Sequence, residues 1–197
     1  MDDIVLRAMQ KWPGVPRVYG WLQLDRRGQW LLKDRSGAFG RIANPALADF
    51  IGRNYACDEE GRWFFQNGPQ RVFVALHYTP WVYRLDDRGE GLTTHTGRPM
   101  GRLAGLYLDE QGALLAADEL GPGVLLDRDL APLLQRLLQE NPGLSEERLL
   151  ELASTGRSTE VILFGVRVPF SGLRSTDVPA RFGFVAMPRP PEGEPDC

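Results

Sequence analysis

The stretch Arg62-Trp-Phe-Phe-Gln-Asn-Gly-Pro-Gln-Arg-Val-Phe-Val-Ala-Leu-His-Tyr-Thr-Pro-Trp-Val-Tyr-Arg-Leu85 decides how this 197-residue chain is read. It places Trp63, Phe64, Phe65, Phe73, Tyr78, Trp81 and Tyr83 within 24 positions. Aromatic and β-branched side chains at that density suit a pleated, half-buried surface, and Gln66-Asn67-Gly68-Pro69 supplies a turn. The stretch is expected to form a central hairpin.

Around it, the spacing Asp-x-x-Gly recurs at Asp25–Gly28, Asp58–Gly61, Asp86–Gly89 and Asp109–Gly112. Asp at the first position of a type I turn accepts the turn's own amides, and Gly at the fourth takes the left-handed backbone of the following bulge. Four hairpin tips follow. Two of them lie in a longer match at an offset of 84, Leu22 to Gly37 against Leu106 to Gly121, each segment leading into a helix. Asn44-Pro45 opens the first helix as N-cap and first-turn proline. Leu130, Leu133, Leu134, Leu137 and Leu138 mark the apolar stripe of the second. Asn141-Pro142-Gly143 ends it, and Ser145 with Glu146 and Glu147 caps another. A short helix is expected over residues 2–11, and closing strands over Thr159–Phe170 and Arg181–Met187. The fold class is therefore α+β, mainly antiparallel hairpins with three or four short helices packed on the sheets. Its organisation is one domain over 1–187, or two pseudo-repeats over about 12–100 and 101–187. Residues 188–197, with four prolines and three acids, read as a disordered tail.

Composition is that of a folded protein, 43% hydrophobic and 25% charged with net charge −3. No run reaches the roughly 18 apolar residues of a membrane helix, and acids follow Met1 where a secretory signal has basic residues, so a cytoplasmic location is expected. The first 100 residues carry 14 basic and 11 acidic side chains and the rest 9 and 15, a balance that disfavours nucleic acid. Cys57 and Cys197 form no framework or metal motif, and no cofactor is expected. Phosphate-loop, dinucleotide, nucleophile-elbow and zinc-protease patterns do not occur.

With only two histidines, catalysis has few forms. His77 lies in the second strand of the hairpin, on the face of Phe73 and Ala75, and reads as a half-buried histidine with one hydrogen bond. His95, in Thr93-Thr94-His95-Thr96-Gly97-Arg98, could join hydroxyls and a guanidinium around an anion, although a solvated loop explains it as well. Cys57 stands beside Asp58, Glu59 and Glu60, whose charge raises a thiol's pKa and argues against a nucleophile. The reading is a non-enzymatic binding or regulatory module with a recognition surface of Arg71, His77, Tyr78, Trp81, Arg84 and, in its loop, His95. Its partner would be a small ligand or a peptide, with a second copy of the chain as a third option. The alternative is a small hydrolase or anion-handling enzyme using His77 or His95 with a carboxylate and arginine.

Tyr-Gly-Trp-Leu at 19–22, Arg-Asn-Tyr at 53–55, Gly-Arg-Trp-Phe-Phe-Gln-Asn-Gly-Pro-Gln-Arg-Val at 61–72 and Tyr-Thr-Pro-Trp-Val at 78–82 resemble an uncharacterised bacterial, proteobacterial family known only as a domain of unknown function. That resemblance implies coverage of residues 12–187 and brings no activity or catalytic residues with it.

Overall fold

The computed structural model describes residues 1–12 and 14–191. They form two compact units, one of residues up to Pro80 together with 183–191, and the other Trp81–Phe182.

The first unit runs α1 (Asp3–Lys11), β1 (Val18–Leu24), β2 (Trp30–Lys33), β3 (Phe39–Arg41), α2 (Pro45–Arg53), β4 (Tyr55–Cys57), β5 (Trp63–Asn67) and β6 (Gln70–Leu76). Its sheet has the order β3-β2-β1-β6-β5-β4, with β1 and β6 parallel and the other neighbours antiparallel. Both faces carry apolar side chains. On one face Trp30 packs edge to face on Tyr55, whose ring lies tilted against Trp63 at 4.8 Å, and Phe50 of α2 meets Phe65 at 5.5 Å. On the other, Tyr19 stacks on Phe73 at 4.6 Å, with Phe64 beside them. Burying each such ring contributes about 2 kcal/mol. Asn44 caps α2 by accepting the Ala46 and Leu47 amides, as its place before Pro45 predicts.

The second unit runs β7 (Trp81–Leu85), β8 (Leu92–Thr94), β9 (Gly105–Leu108), β10 (Leu114–Asp118), β11 (Gly121–Leu125), α3 (Asp127–Glu140), α4 (Glu146–Thr155), β12 (Ser158–Leu163), β13 (Val166–Gly172) and α5 (Val178–Phe182). Its sheet order is β12-β13-β9-β10-β11-β7-β8. The connectivity of the first unit recurs here. Three meandering strands lead through helix to a hairpin whose last strand lies parallel to the first, β1∥β6 in one unit and β9∥β13 in the other. The registers Leu22↔Leu32, Gln23↔Leu31 and Leu24↔Trp30 reappear at an offset of 84 as Leu106↔Ala116, Tyr107↔Leu115 and Leu108↔Leu114.

The Asp-x-x-Gly tips form as expected. Asp25, Asp58, Asp86 and Asp109 each accept two backbone amides through Oδ1, and Gly28, Gly61, Gly89 and Gly112 all have positive φ. Two further turns share the design. Asp34 serves Ser36 and Ala38, and at Thr94–Gly97 the threonine hydroxyl accepts the Arg98 amide in place of a carboxylate.

Three sequence expectations are corrected. Thr159–Phe170 is a hairpin and not one strand, because Phe164 (φ 53) and Gly165 (φ 72) make a two-residue left-handed turn. The Phe164 ring lies under the Arg136 guanidinium at 4.8 Å, and Glu140 accepts the Gly165 amide, which holds the turn against its backbone cost. Arg181–Met187 is not a strand: α5 ends at Phe182, and only Val185 makes an isolated bridge, to Arg62. The stretch from Arg62 to Leu85 is not one hairpin, since β6 stops at Leu76 and β7 belongs to the second unit. Of the tail expected over 188–197, residues 192–197 with Cys197 lie outside the described residues.

Candidate functional site

Arg71, His77 and Tyr78 belong to the first unit, and Trp81, Arg84 and His95 to the second. Tyr78 is buried beneath the Arg26 guanidinium, 4.3 Å from its ring. Arg71 lies 3.9 Å above the Phe64 ring and 3.9 Å from Asp58. Burial alone would raise the Asp58 carboxyl, but hydrogen bonds from Arg62 and its charge outweigh it and leave Asp58 below the usual range. Trp81 is buried and donates its indole N–H to Leu120 O at 3.0 Å. Arg84 is exposed on β7 opposite Thr93.

His95 turns inward, its Nδ1 accepting the Val82 amide at 3.3 Å while its own amide donates to Val82 O. An acceptor nitrogen requires neutral imidazole, and burial pushes the pKa from 6.5 down to about 3. The Thr94 hydroxyl is taken up in the turn, so the residues of that loop do not converge on an anion. Because the folded pKa lies below the unfolded one, the stability His95 supports is complete above pH 6.5 and is lost as pH falls toward 3. Urea midpoints from neutral pH down to mildly acidic pH should fall more steeply for the native protein than for His95→Asn. Parallel slopes would remove His95 as the cause.

His77 follows the end of β6, is exposed, and bonds Gln23 Oε1 through Nε2 at 2.8 Å. It stands at the edge of a larger feature. Arg41, Leu31, Gln23 and Ala75 form one row across β3, β2, β1 and β6 on a single face of the sheet. Phe39 and Lys33 form the neighbouring row, with the Lys33 ammonium 6.0 Å from the Trp21 ring centroid. Trp21 and Phe39 are 37% and 36% exposed, large values for rings inside a sheet. The other half of the same face is covered by the Tyr19, Phe64 and Phe73 cluster, so one sheet face has a buried half and an open half. On the opposite side of the open end, Leu32 is 44% exposed across from Gly40.

Residues 18–41 hold five basic and two acidic side chains. Both acids are engaged: Asp25 and Asp34 accept their own turn amides, and the Ser36 hydroxyl holds the Asp34 carboxyl below its usual range. Among the described residues Lys33, Arg35 and Arg41 form no ion pair. The open half is therefore aromatic and cationic. Apart from His77, sequence reasoning missed it. The available signal was Phe39-Gly40-Arg41, a strand alternation with nothing apolar on one side.

Cys57 Sγ donates to Asp58 O, and burial followed by the Asp58 charge pushes the thiol up to about 11. It is a protonated thiol at neutral pH and a poor nucleophile. Among the described residues no group of three or more His, Cys, Asp or Glu side chains could hold a metal ion, and no helix is long and apolar enough to cross a membrane. A groove of about 1140 Å³ in the second unit is lined by Leu108, Leu150, Leu173, Glu110 and Glu147. Its carboxylates have local partners: Asp109 accepts the Gln111 and Ala113 amides, Glu110 pairs with Ser175, Glu147 with Ser145, Glu151 with Arg148, and Asp177 accepts the Thr176 hydroxyl.

A family model described as "Protein of unknown function (DUF2946)" matches residues 1–189, in agreement with the resemblance drawn from the sequence. No curated protein matches the chain. Among solved structures it is similar to a DUF1285 family protein from Silicibacter pomeroyi DSS-3, at 16% identity and TM-score 0.50, covering 88% of this chain and 97% of that one. At that identity the likeness concerns the fold alone.

Proposed function

The chain belongs to the family described as Protein of unknown function (DUF2946), and from its geometry we propose that it is a non-enzymatic binding module that recognises an acidic partner through the open end of its first sheet. One observation carries the reading. Trp21 and Phe39 are exposed on a sheet face beside Lys33 and Arg41, cations that form no ion pair among the described residues. An isolated exposed aromatic is ordinary, but a contiguous aromatic and basic patch at the end of a sheet has the composition of an interface anchor. The histidines support binding over catalysis, because His77 bonds an amide side chain and His95 Nδ1 is held by a backbone amide.

Poly-L-glutamate added to the ¹⁵N-labelled protein should shift the Trp21 indole and the Lys33, Phe39, Arg41 and His77 amides. The double variant Lys33→Glu/Arg41→Glu should weaken this binding about tenfold, as removal of two partly screened charge contacts implies. Shifts confined to other surfaces, or an unchanged affinity in the double variant, would sink the proposal.

A further inference from the structure

The recurring connectivity supplies a comparison that neither unit supplies alone. Register places β3 where the second unit has β11: Leu32↔Gly40 corresponds to Ala116↔Gly123, and Leu31↔Arg41 to Leu115↔Val124. In the second unit that edge is occupied. β7 pairs with β11 in the parallel sense, Gly123↔Trp81, Val124↔Val82 and Leu125↔Tyr83, and the Leu126 amide donates to Tyr83 O. In the first unit β3 is the terminal strand.

The two glycines sharpen the comparison. A side chain on Gly123 would collide with the Tyr83 ring, which lies across it, so an aromatic residue of the added strand explains that glycine. Gly40 has nothing within 4 Å of where a Cβ would stand, and its φ is not among the positive ones. Neither crowding nor backbone conformation accounts for a glycine in this strand. The residues opposite them differ in the same way, Ala116 being buried and Leu32 44% exposed.

The backbone of β3 is also available. Ala38 O and the Ile42 amide point inward, to Asp34 and Trp30. Antiparallel alternation then turns Gly40 inward as well, and directs the N–H and C=O groups of Phe39 and Arg41 outward.

We infer that β3 accepts an added strand. An extended acidic segment of a partner protein pairs with it in the parallel sense and lays an aromatic side chain over Gly40 and Leu32. This rests on the reading proposed above and names its partner. Strand addition uses the outward backbone groups for affinity and side-chain sites on alternate faces for selection. The aromatic residue meets Leu32 on one face, and carboxylates on the other meet Lys33 and Arg41. An extended peptide can use a backbone edge of this kind, which a nucleic acid cannot.

The probe is a fluorescein-labelled peptide, Thr-Val-Glu-Tyr-Glu-Val-Thr, whose glutamates flank the tyrosine and so face the opposite side of the strand, followed by anisotropy and by amide hydrogen exchange on the full chain. Binding should weaken about tenfold with Gly40→Val, which fills the ring's place without a clash, and equally when the peptide's tyrosine is replaced by alanine. The Phe39 and Arg41 amides should gain protection. If Lys33→Glu/Arg41→Glu weakens the peptide but Gly40→Val and the alanine peptide change nothing, strand addition is overturned and the aromatic-cationic face stands. If none of these changes matters, both fail. No binding at millimolar peptide, or a concentration-dependent dimer that peptide does not displace, overturns strand addition, and the poly-L-glutamate titration then decides the reading beneath it.

Discussion

Gly61→Ala is expected to destabilise the protein by about 3 kcal/mol or more, or to leave it insoluble, the upper range for a single substitution. Gly61 closes the Asp58 turn with φ 77, and a Cβ there would strike the carbonyl oxygen of Gly183 and crowd Phe184 Cα. These are backbone atoms, which cannot swing aside as a flexible side chain does. The same place is tied by the Val185 amide donating to Gly61 O at 2.9 Å and by the Arg62↔Val185 bridge. Gly89→Ala is the control. It sits in a turn of the same design at φ 67 with open space around it, so it carries only the left-handed backbone cost, about 1 kcal/mol. Chemical denaturation of the two variants separates conformational strain from collision. Equal losses would show that the contact with Gly183 contributes nothing.

Asn141→Ala is expected to cost about 2–3 kcal/mol and to make the protein prone to aggregate. The Asn141 amide stands where another strand would: Nδ2 donates to Ile162 O at 2.7 Å and to Leu137 O, and Oδ1 accepts the Ile162 amide at 2.8 Å. Ile162 lies on β12, an edge strand, and its outward donor and acceptor are both satisfied by this one side chain. Alanine would leave them unmade. The check is hydrogen exchange at Ile162 together with urea midpoint and light scattering. Unaltered protection of the Ile162 amide would mean that the edge is held by other means.

These two residues show where the sequence is informative. The hairpin tips were legible because an Asp carboxylate and a glycine three positions on act on their own turn, and local chemistry needs no knowledge of the rest of the chain. The Thr94–Gly97 turn escaped because a hydroxyl does the work of the carboxylate there. Asn141 was legible as a helix end, whereas its bonds to Ile162 join residues 21 positions apart and leave no local mark. The break between His77 and Trp81 had a signal in Pro80, which lacks a ladder donor, but the aromatic run on both sides masks it. The same density drew attention to Tyr78 and Trp81, which are buried, and away from Trp21 and Phe39, which are few and exposed. Aromatic abundance reports where a core is. Which edge of a sheet stays uncovered depends on strand order, and periodicity within one strand does not carry it.

The return of Gly183–Ala186 to the Asp58 turn and to Leu76 has a consequence for biosynthesis. Every strand of the first sheet has been translated once residue 76 is made, yet the Gly61 and Leu76 partners are not translated until 102 residues of the second unit have followed. At roughly 5–20 residues per second that interval lasts several seconds, ample time for a contiguous unit to fold. The first unit is thus begun first and finished last. During that wait its Leu76 amide and Gly61 carbonyl lack the partners that complete them, and a chaperone or a stalled ribosome would meet the protein in that state.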